Sequence, residues 1–252
     1  MFFNYHTHTF RCGHATGTDR EYVENAIKAG LKTLGFSDHA PYIFEDGYRS
    51  SMRMNNDQIN DYANSIRSLA KEYQKDIKIL LGFELEYYPD YYKEEKAFLK
   101  TVNPDYYILG QHYLHCESGY SHVFKNEKRP DAVLQAYATQ IIAGLDTGDF
   151  LYLAHPDMIG TNFSKEVVER EFYRICAFAK KRNIPLEINL CGVRGNREYP
   201  CDEFFQIAGR VGNDVVIGYD AHDAKDFLDN TAKEKAFRLI EKHKLNLIDL
   251  KL

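Results

Sequence analysis

Histidine and carboxylate side chains recur in this sequence directly after short apolar runs. The residues in these positions, together with one asparagine, are His6, His8, Asp38, His39, Glu84, Glu86, His112, His155, Glu187, Asn189, Asp220 and His222. His6 and His8 are two residues apart, as are Asp220 and His222, and residues at that spacing point to the same face of a β-strand. Any one of these histidines could be an ordinary packing or capping residue. Their repeated occurrence after successive apolar runs instead indicates a metal cluster.

The residue types in this set are those of a hydrolytic metal centre. Neutral imidazole binds Zn²⁺, Mn²⁺ or Fe²⁺, and carboxylates can bridge two ions. Cysteines are scarce after the apolar runs, which disfavours a structural cysteine-rich zinc site. Clustered ions lower the pKa of a bound water and hold a phosphoryl group. The pattern therefore predicts a metallohydrolase, with phosphoesters as the preferred substrate class.

The elements that would position these residues alternate along the chain. Seven apolar runs of strand length lie at 2–5, 33–36, 77–83, 106–109, 150–154, 185–190 and 214–218. Segments with helical spacing follow them at 21–29, 57–73, 93–100, 132–146, 165–182, 201–210 and 232–242. In a parallel α/β barrel, the carboxyl ends of the strands converge on one mouth. We therefore expect one barrel-like α/β domain over residues 1–252, with the polar residues gathered at that mouth and a terminal strand within 245–250.

A doubly wound open sheet is the alternative architecture. The sequence contains neither GxGxxG after the first strand nor GxxxxGK[ST] anywhere, so the nucleotide-binding versions of that fold lose support. The barrel is the preferred interpretation.

Composition favours a protein with small partners. There are 37 Asp and Glu against 32 Lys and Arg, a net charge of −5, which gives no global attraction to nucleic acid or to anionic lipid. The five cysteines are odd in number and form no CxxC pair. We therefore expect reduced thiols, as in cytoplasmic proteins, and no disulfides. The first residues lack the pattern of a signal peptide, and no apolar run is long enough to span a membrane. We expect a cytoplasmic enzyme that binds neither nucleic acid nor membranes.

Arginines near the predicted mouth are candidate phosphate ligands. Arg194 and Arg197 follow the sixth apolar run, and a planar guanidinium can bind two phosphate oxygens at once. Arg49 and Arg53 lie in the long segment after the second run, and loops of that length often cover a site.

Six ordered motifs in this sequence resemble those of the PHP (polymerase and histidinol phosphatase) superfamily, and in particular its histidinol-phosphatases. They are HTHT at 6–9, GFSDHAP at 35–41, GFE at 82–84, GQH at 110–112, AHPD at 154–157 and GYDAH at 218–222. The resemblance covers nearly the whole chain, including EIN at 187–189 before Gly192-Val193-Arg194.

This resemblance implies a distorted (βα)₇ TIM-like barrel with about three divalent ions, Zn, Mn or Fe, at the carboxyl ends of the strands. The ligands of the first ion would be His6, His8, Glu84 and Asp220. Glu84 would bridge to a second ion, held also by His112 and His155. The third would be held by His14, His39 and His222, where His14 is implied by the family pattern alone. Glu86 would lie outside the ligand set.

The implied reaction is hydrolysis of L-histidinol phosphate to L-histidinol and phosphate, a step of histidine biosynthesis. A hydroxide bridging the ions would attack phosphorus, and the ions and Arg194 would stabilise the phosphate oxygens. Glu84 would bridge the ions at the reaction centre, and the candidate proton donors are His39, Asp220 and His222. Two alternatives stay open: a phosphatase for another small or phosphotyrosine-like phosphomonoester, and a non-catalytic metal-binding regulatory module.

One position departs from the family pattern. Phosphatases of this type often carry a basic residue three positions after the Asp of AHPD, where this chain has Gly160. If that residue helps to hold phosphate, we expect Arg194 or Arg197 to take its place.

Overall fold

The computed structural model of the chain describes residues 2–120, 122–123 and 129–252, in which strands and helices alternate. The strands are β1 (Phe3–Asn4), β2 (Thr33–His39), β3 (Lys78–Leu85), β4 (Tyr106–Leu109), β5 (Leu186–Asn189), β6 (Asp214–Gly218) and β7 (Asn246–Leu247). The helices are α1 (Asp19–Lys28), α2 (Ile59–Glu72), α3 (Tyr92–Leu99), α4 (Asp131–Asp146), α5 (Lys165–Arg182), α6 (Leu190–Arg194), α7 (Asp202–Val211) and α8 (Asn230–His243).

The strands form two parallel sheets that join at both ends. One sheet has the order β1-β2-β3-β4 and the other β5-β6-β7. Thr7 pairs with Ala221 at what we call the first seam, and Leu153 pairs with both Leu109 and Leu186 at the second seam. The result is a curled parallel sheet with helical crossovers, which confirms the predicted TIM-like barrel and excludes an open sheet.

The fifth predicted strand is much shorter than expected. Within 150–154 only Leu153 forms bridges, although Leu151 N donates to Tyr107 O (2.8 Å) and Ala154 N to Leu109 O (2.8 Å). The segment therefore occupies the fifth position of the barrel without forming a regular ladder. The terminal strand is likewise reduced to Asn246–Leu247.

A short helix, α6, begins directly after β5 and was not predicted. The Asn189 side chain accepts a hydrogen bond from Gly192 N (3.0 Å) and so caps its first turn. A five-residue helix has too few turns to produce a hydrophobic periodicity, so the sequence pattern does not predict it. The other predicted helices differ from the observed ones only near their ends.

The apolar faces of the helices and a separate inner cluster form the core. On α2, the residues Ile59, Tyr62, Ile66 and Leu69 are buried. The inner cluster contains Phe3, Tyr5, Leu80, Tyr106, Ile108, Tyr152, Ala154 and Val216. Leu80 and Glu84 are four residues apart on β3 and share one face of the strand, so the inner cluster supports the strand segment that carries this carboxylate. Within the described residues, no helix has the length and apolar character needed to cross a bilayer.

Candidate metal centre

The carboxyl ends of the strands bring the nine expected ligands together. His39 ends β2 and Glu84 lies in β3. His155 follows the bridge residue Leu153, His14 follows a short 3-10 helix at Phe10–Cys12, and the others follow the ends of strands. The buried members of the set are His6, His8, His39, Glu84, His112, His155 and Asp220. His222 is half-buried and His14 is exposed. Residues far apart in the sequence therefore share one site.

Donor atoms within this site fall into small groups whose members lie within 4.8 Å of one another. The groups include His6, His8 and Glu84; His6, His155 and Asp220; His39, Glu84 and His112; and His14, His39 and His222. Each offers imidazole nitrogens, most together with a carboxylate oxygen, which is the donor set that divalent transition metals favour.

Glu84 lies at the centre of the site, with histidines around both of its oxygens. Its Oε2 lies 2.9 Å from Nδ1 of His39 and 3.5 Å from Nε2 of His6. Its Oε1 lies 2.7 Å from Nε2 of His155. A carboxylate placed in this way can contribute one oxygen to each of two ion positions.

Three of the histidines are oriented by carboxylates outside the ligand set. His6 Nδ1 lies 2.8 Å from Glu187 Oε1, and His112 Nδ1 lies 2.6 Å from Glu86 Oε1. His8 has a longer contact of the same kind with Asp38. Such partners fix the ring orientation and direct Nε2 toward a metal. The sequence analysis placed Glu86 outside the ligand set but did not predict an orienting role for Asp38 or Glu187.

Several buried atoms at the centre have no well-directed hydrogen bond to any described residue. They are Nε2 of His6, Nε2 of His8, Oε2 of Glu84 and Oδ1 of Asp220. His8 Nε2 and Asp220 Oδ1 are only 3.0 Å apart, but their orientation does not make a hydrogen bond. Buried polar atoms are normally partnered. Their convergence on one point fits bound divalent metal ions.

The electrostatics of the site also fit metal binding. Burial raises the pKa of Asp220, but His6 and His222 outweigh it and hold that pKa well below its usual range. Burial, together with His8, lowers the pKa of His222 to about 3 and places that of His39 well below its ordinary value. Ionised carboxylates and neutral imidazoles are the forms that bind metals. Burial lowers the pKa values of His6, His8 and His155, but the surrounding carboxylates outweigh it and raise them, that of His8 to about 9, so these imidazoles would release a proton on binding an ion.

Backbone constraints hold these side chains in place. A Cβ atom on Gly110 would overlap with Oε1 of Glu84, and one on Gly218 would overlap with Oε1 of Glu187. His155 and Asp220 have positive φ angles of 28° and 46°, a region that only a few per cent of non-glycine residues adopt.

The site opens onto a cavity of about 500 Å³. Its lining includes His14, His39, Met52, His112, His122, Met158, Cys191, Arg197, Tyr199, Asp220 and His222. Arg197 is thus placed at the cavity as expected, and its Nη1 also donates to Tyr199 Oη (2.6 Å).

Arg194 does not occupy the position expected for a phosphate ligand. Its Nη2 donates to the carbonyl oxygens of Tyr219 (2.8 Å) and Asp220 (3.1 Å) and to Oδ2 of Asp226 (3.1 Å). It is absent from the cavity lining within the described part of the chain. Because Arg194 ends the unpredicted helix α6, it turns toward the backbone of Asp220 instead.

His122 lines the cavity but was left out of the predicted set. Burial, with help from His112 and His155, lowers its pKa to about 3. It follows no apolar run, so the strand-end pattern could not identify it, and it reaches the cavity through an antiparallel bridge with Tyr113.

Comparison with known proteins agrees with this geometry. Residues 4–190 match the PHP domain family. The chain belongs to the PHP family. A histidinol-phosphatase of Bacillus subtilis is 28% identical over 250 residues, covering 88% of this chain and 93% of that protein. A Deinococcus radiodurans protein named "Probable histidinol-phosphatase" is 29% identical over 226 residues, covering 86% of this chain and 85% of that protein.

A solved structure shows the same fold. The histidinol phosphate phosphatase of Lactococcus lactis, crystallised with zinc, L-histidinol and phosphate, superposes with a TM-score of 0.74. It is 20% identical, and the match covers 98% of this chain and 95% of that one. At this identity the match establishes the shared barrel architecture of the PHP family.

Proposed function

We propose that this PHP protein is a metal-dependent phosphomonoesterase that hydrolyses L-histidinol phosphate to L-histidinol and phosphate. The observation that carries the proposal is the convergence of nine histidine and carboxylate residues beside a cavity that also holds Arg197. The names of the Bacillus and Deinococcus relatives and the ligands of the Lactococcus enzyme support the substrate.

The donor groups suit about three ions. His6, His8, Glu84 and Asp220 would hold the first; Glu84, His112 and His155 the second; and His14, His39 and His222 the third. Zn, Mn and Fe all accept this mixture of imidazole and carboxylate. When bound, clustered divalent ions lower the pKa of water and attract the oxygens of a phosphoryl group.

The protein side chains bind and orient the substrate around this centre. The guanidinium of Arg197 is positioned to bind phosphate oxygens at the cavity. Met52, Met158, His122 and Tyr199 line the same cavity and supply a mixed apolar and polar surface for the organic part of the substrate.

The four side chains expected to be catalytic are assigned to metal binding. The low pKa values of His39 and His222 leave both imidazoles without a proton to donate as imidazolium at neutral pH. The pKa values of Glu84 and Asp220 are also well below their usual range, because the surrounding histidines outweigh the effect of burial. All four groups are therefore in the form that holds an ion.

A different small phosphomonoester is the second candidate substrate, and the surroundings of Gly160 favour it. Gly160 has a φ of +74°, and a Cβ atom there would lie 2.6 Å from Oε2 of Glu198. A carboxylate thus lies beside the position where related phosphatases often carry a base. This difference changes the surroundings of the substrate and leaves the metal ligands intact.

A substrate panel tests the proposal. Protein purified without added metal should release phosphate from L-histidinol phosphate much faster than from sugar phosphates, nucleotides or phosphotyrosine. A uniform rate across the panel would reject this substrate and retain the phosphatase class. Elemental analysis of the same preparation should find about three ions per chain. Protein without retained metal, and with activity unaffected by chelation, would contradict the metal centre.

A variant of Glu84 separates an enzyme from a regulatory module. Glu84→Ala should reduce turnover by orders of magnitude, whereas Glu166→Ala, which alters an exposed carboxylate on α5, should leave turnover unchanged. A Glu84→Ala protein with wild-type turnover would show that the cluster is not the catalytic centre.

A further inference from the structure

A single buried arginine, Arg53, connects segments that follow three neighbouring strands. Its side chain is 3% exposed, and Nη2 lies 2.7 Å from Oε1 of Glu86 while Nε lies 2.7 Å from Oε2 of Glu117. Nη1 donates to the carbonyl oxygen of Ala40 (3.2 Å). Ala40, Glu86 and Glu117 follow β2, β3 and β4 respectively. Arg53 is therefore buried between strand ends and is not the phosphate ligand that its place in a long loop suggested.

The partners of Arg53 all lie close in sequence to candidate metal ligands that share one donor group. Ala40 directly follows one ligand, Glu86 is two residues beyond another, and Glu117 is five residues beyond the third. These ligands are His39, Glu84 and His112, whose donor atoms lie within 4.8 Å of one another. One guanidinium thus contacts the three segments that bring this donor group together.

The connection to the metal centre passes through one oxygen atom. Oε1 of Glu86 lies 2.6 Å from Nδ1 of His112 and 2.7 Å from Nη2 of Arg53. The position of Glu86 fixes the His112 imidazole, and Arg53 supplies the charge that keeps this buried carboxylate paired. A buried charge that loses its partner is strongly unfavourable, so Glu86 is expected to move away from its present position without Arg53.

The opposite end of the guanidinium is equally constrained. Glu117 is buried, and its Oε1 accepts hydrogen bonds from Ser50 Oγ and from Tyr48 Oη (3.2 Å). Acceptors on three sides require the planar, multiply donating guanidinium, because a lysine ammonium is a compact charge on a flexible stem.

We propose that Arg53 is a positioning residue for the second ion position, formed by Glu84, His112 and His155, and that it acts on His112 through Glu86. This inference rests on the metal centre proposed above. It predicts that loss of the guanidinium weakens the binding of this ion selectively and leaves the other ions bound.

Cobalt titration tests this role independently of turnover. Wild-type, Arg53→Met and Arg53→Lys proteins are stripped of metal and titrated with Co²⁺, and the ion content and visible absorption are recorded. Removing a residue outside the ligand set commonly weakens a metal site about 10- to 100-fold, so we expect Arg53→Met to bind one ion at least about tenfold more weakly. Arg53→Lys should show a smaller loss at the same ion.

Further variants identify the route of the effect. Glu86→Gln should weaken binding of the same ion. The Arg53→Met/Glu86→Gln double variant should have no lower affinity for it than the single variant with the lower affinity, because both changes break one connection. Ile66→Ala removes apolar contacts from the core and should lower stability without changing the ion content. Any general loss of stability is thereby separated from the selective effect.

Each outcome has a definite reading. If Arg53→Met does not fold, because two buried carboxylates lose their partner, Arg53→Lys decides the question. Wild-type Co²⁺ affinity and absorption in Arg53→Lys, or in a folded Arg53→Met, would overturn the proposal for Arg53. Absence of bound ions from the wild-type protein would instead overturn the proposed metal centre.

Discussion

Glu187 and His6 form a buried pair in which Oε1 of the carboxylate lies 2.8 Å from Nδ1 of the imidazole. Glu187 belongs to β5 in one sheet, whereas His6 follows β1 in the other. The second oxygen of Glu187 accepts hydrogen bonds from the backbone nitrogen of His155 (3.0 Å) and from Nδ2 of Asn189 (2.9 Å). One carboxylate therefore fixes residues from both sheets around the metal centre.

Replacement of Glu187 should weaken metal binding without removing a ligand. We expect Glu187→Gln to lower the affinity for Zn²⁺ about 10- to 100-fold, because the neutral amide holds His6 less firmly. Glu171 on α5 is equally buried but pairs with Arg170 and Arg174, so Glu171→Gln is the matched control and should retain wild-type affinity. Zinc titration of both variants measures the difference; equal losses would refute the orienting role of Glu187.

A methyl group at Gly110 should disrupt the site sterically. It would overlap with Oε1 of Glu84, so the carboxylate must shift away from its central position. A misplacement of about 1 Å at a catalytic centre can lower the rate about 100-fold. We therefore expect kcat of Gly110→Ala to fall by about that factor. Gly144→Ala, on α4, introduces a clash with Tyr87 instead. Steady-state assays should show a much smaller effect in this control, and similar kcat values in the two variants would contradict the interpretation.

Arg197 and Arg194 should give distinguishable variants although they are near neighbours. Arg197→Met removes a cavity guanidinium and should reduce kcat/KM about tenfold or more while the protein retains its metal. Arg194→Met removes donors to the Asp220 backbone, so its effect should appear in metal content and thermal stability. Kinetic and elemental measurements on both proteins check this. Loss of metal from Arg197→Met with unchanged content in Arg194→Met would reverse the two assignments.

A buried carboxylate outside the ligand set should make stability depend on pH. Burial raises the pKa of Glu95 to about 8, an effect that Arg53 partly opposes. The folded chain therefore keeps this proton in a pH range where the unfolded chain, with an ordinary value of 4.5, has lost it. The contribution of the Glu95 carboxyl to the free energy of unfolding is therefore fully present below about pH 4.5 and is lost as the pH rises through about 8.

Glu95→Gln removes this titration. We expect the variant to match the wild type near pH 4.5 and to be more stable near pH 8, since each unit of pKa difference corresponds to about 1.4 kcal/mol. Urea unfolding across this range measures the difference, with Glu94→Gln, an exposed change on the same helix, as control. A difference between Glu95→Gln and wild type that does not vary with pH would show that the pKa of Glu95 is the same in the folded and the unfolded chain.

The sequence predicted those parts of the site that depend on local pattern. Each strand-end ligand follows an apolar run, and a parallel barrel brings the ends of such runs together whatever the detailed register. His14 follows a short 3-10 helix and is held by a contact from its Nδ1 to the carbonyl oxygen of Cys12 (3.0 Å). No apolar run marks that position, so only the family resemblance indicated it.

Contacts between distant segments could not be predicted in the same way. The pairing of Glu187 with His6 depends on which strands meet at a seam, and Arg53 is buried because Glu86 and Glu117 approach it from other loops. The role of Arg194 depends on α6, which is too short to produce a periodic signal. In each case the decisive information is the three-dimensional position of a second residue.

The first seam gives the metal centre a mechanical consequence. His8 N donates to Ala221 O (3.0 Å) and Ala221 N to His6 O (3.3 Å), and these bonds join the two sheets where candidate ligands lie on both sides. An ion held by His6 and Asp220 would hold the edges of both sheets together. Metal-free protein should therefore open here first, and the amide hydrogen of Ala221 should exchange with solvent sooner than those within β3.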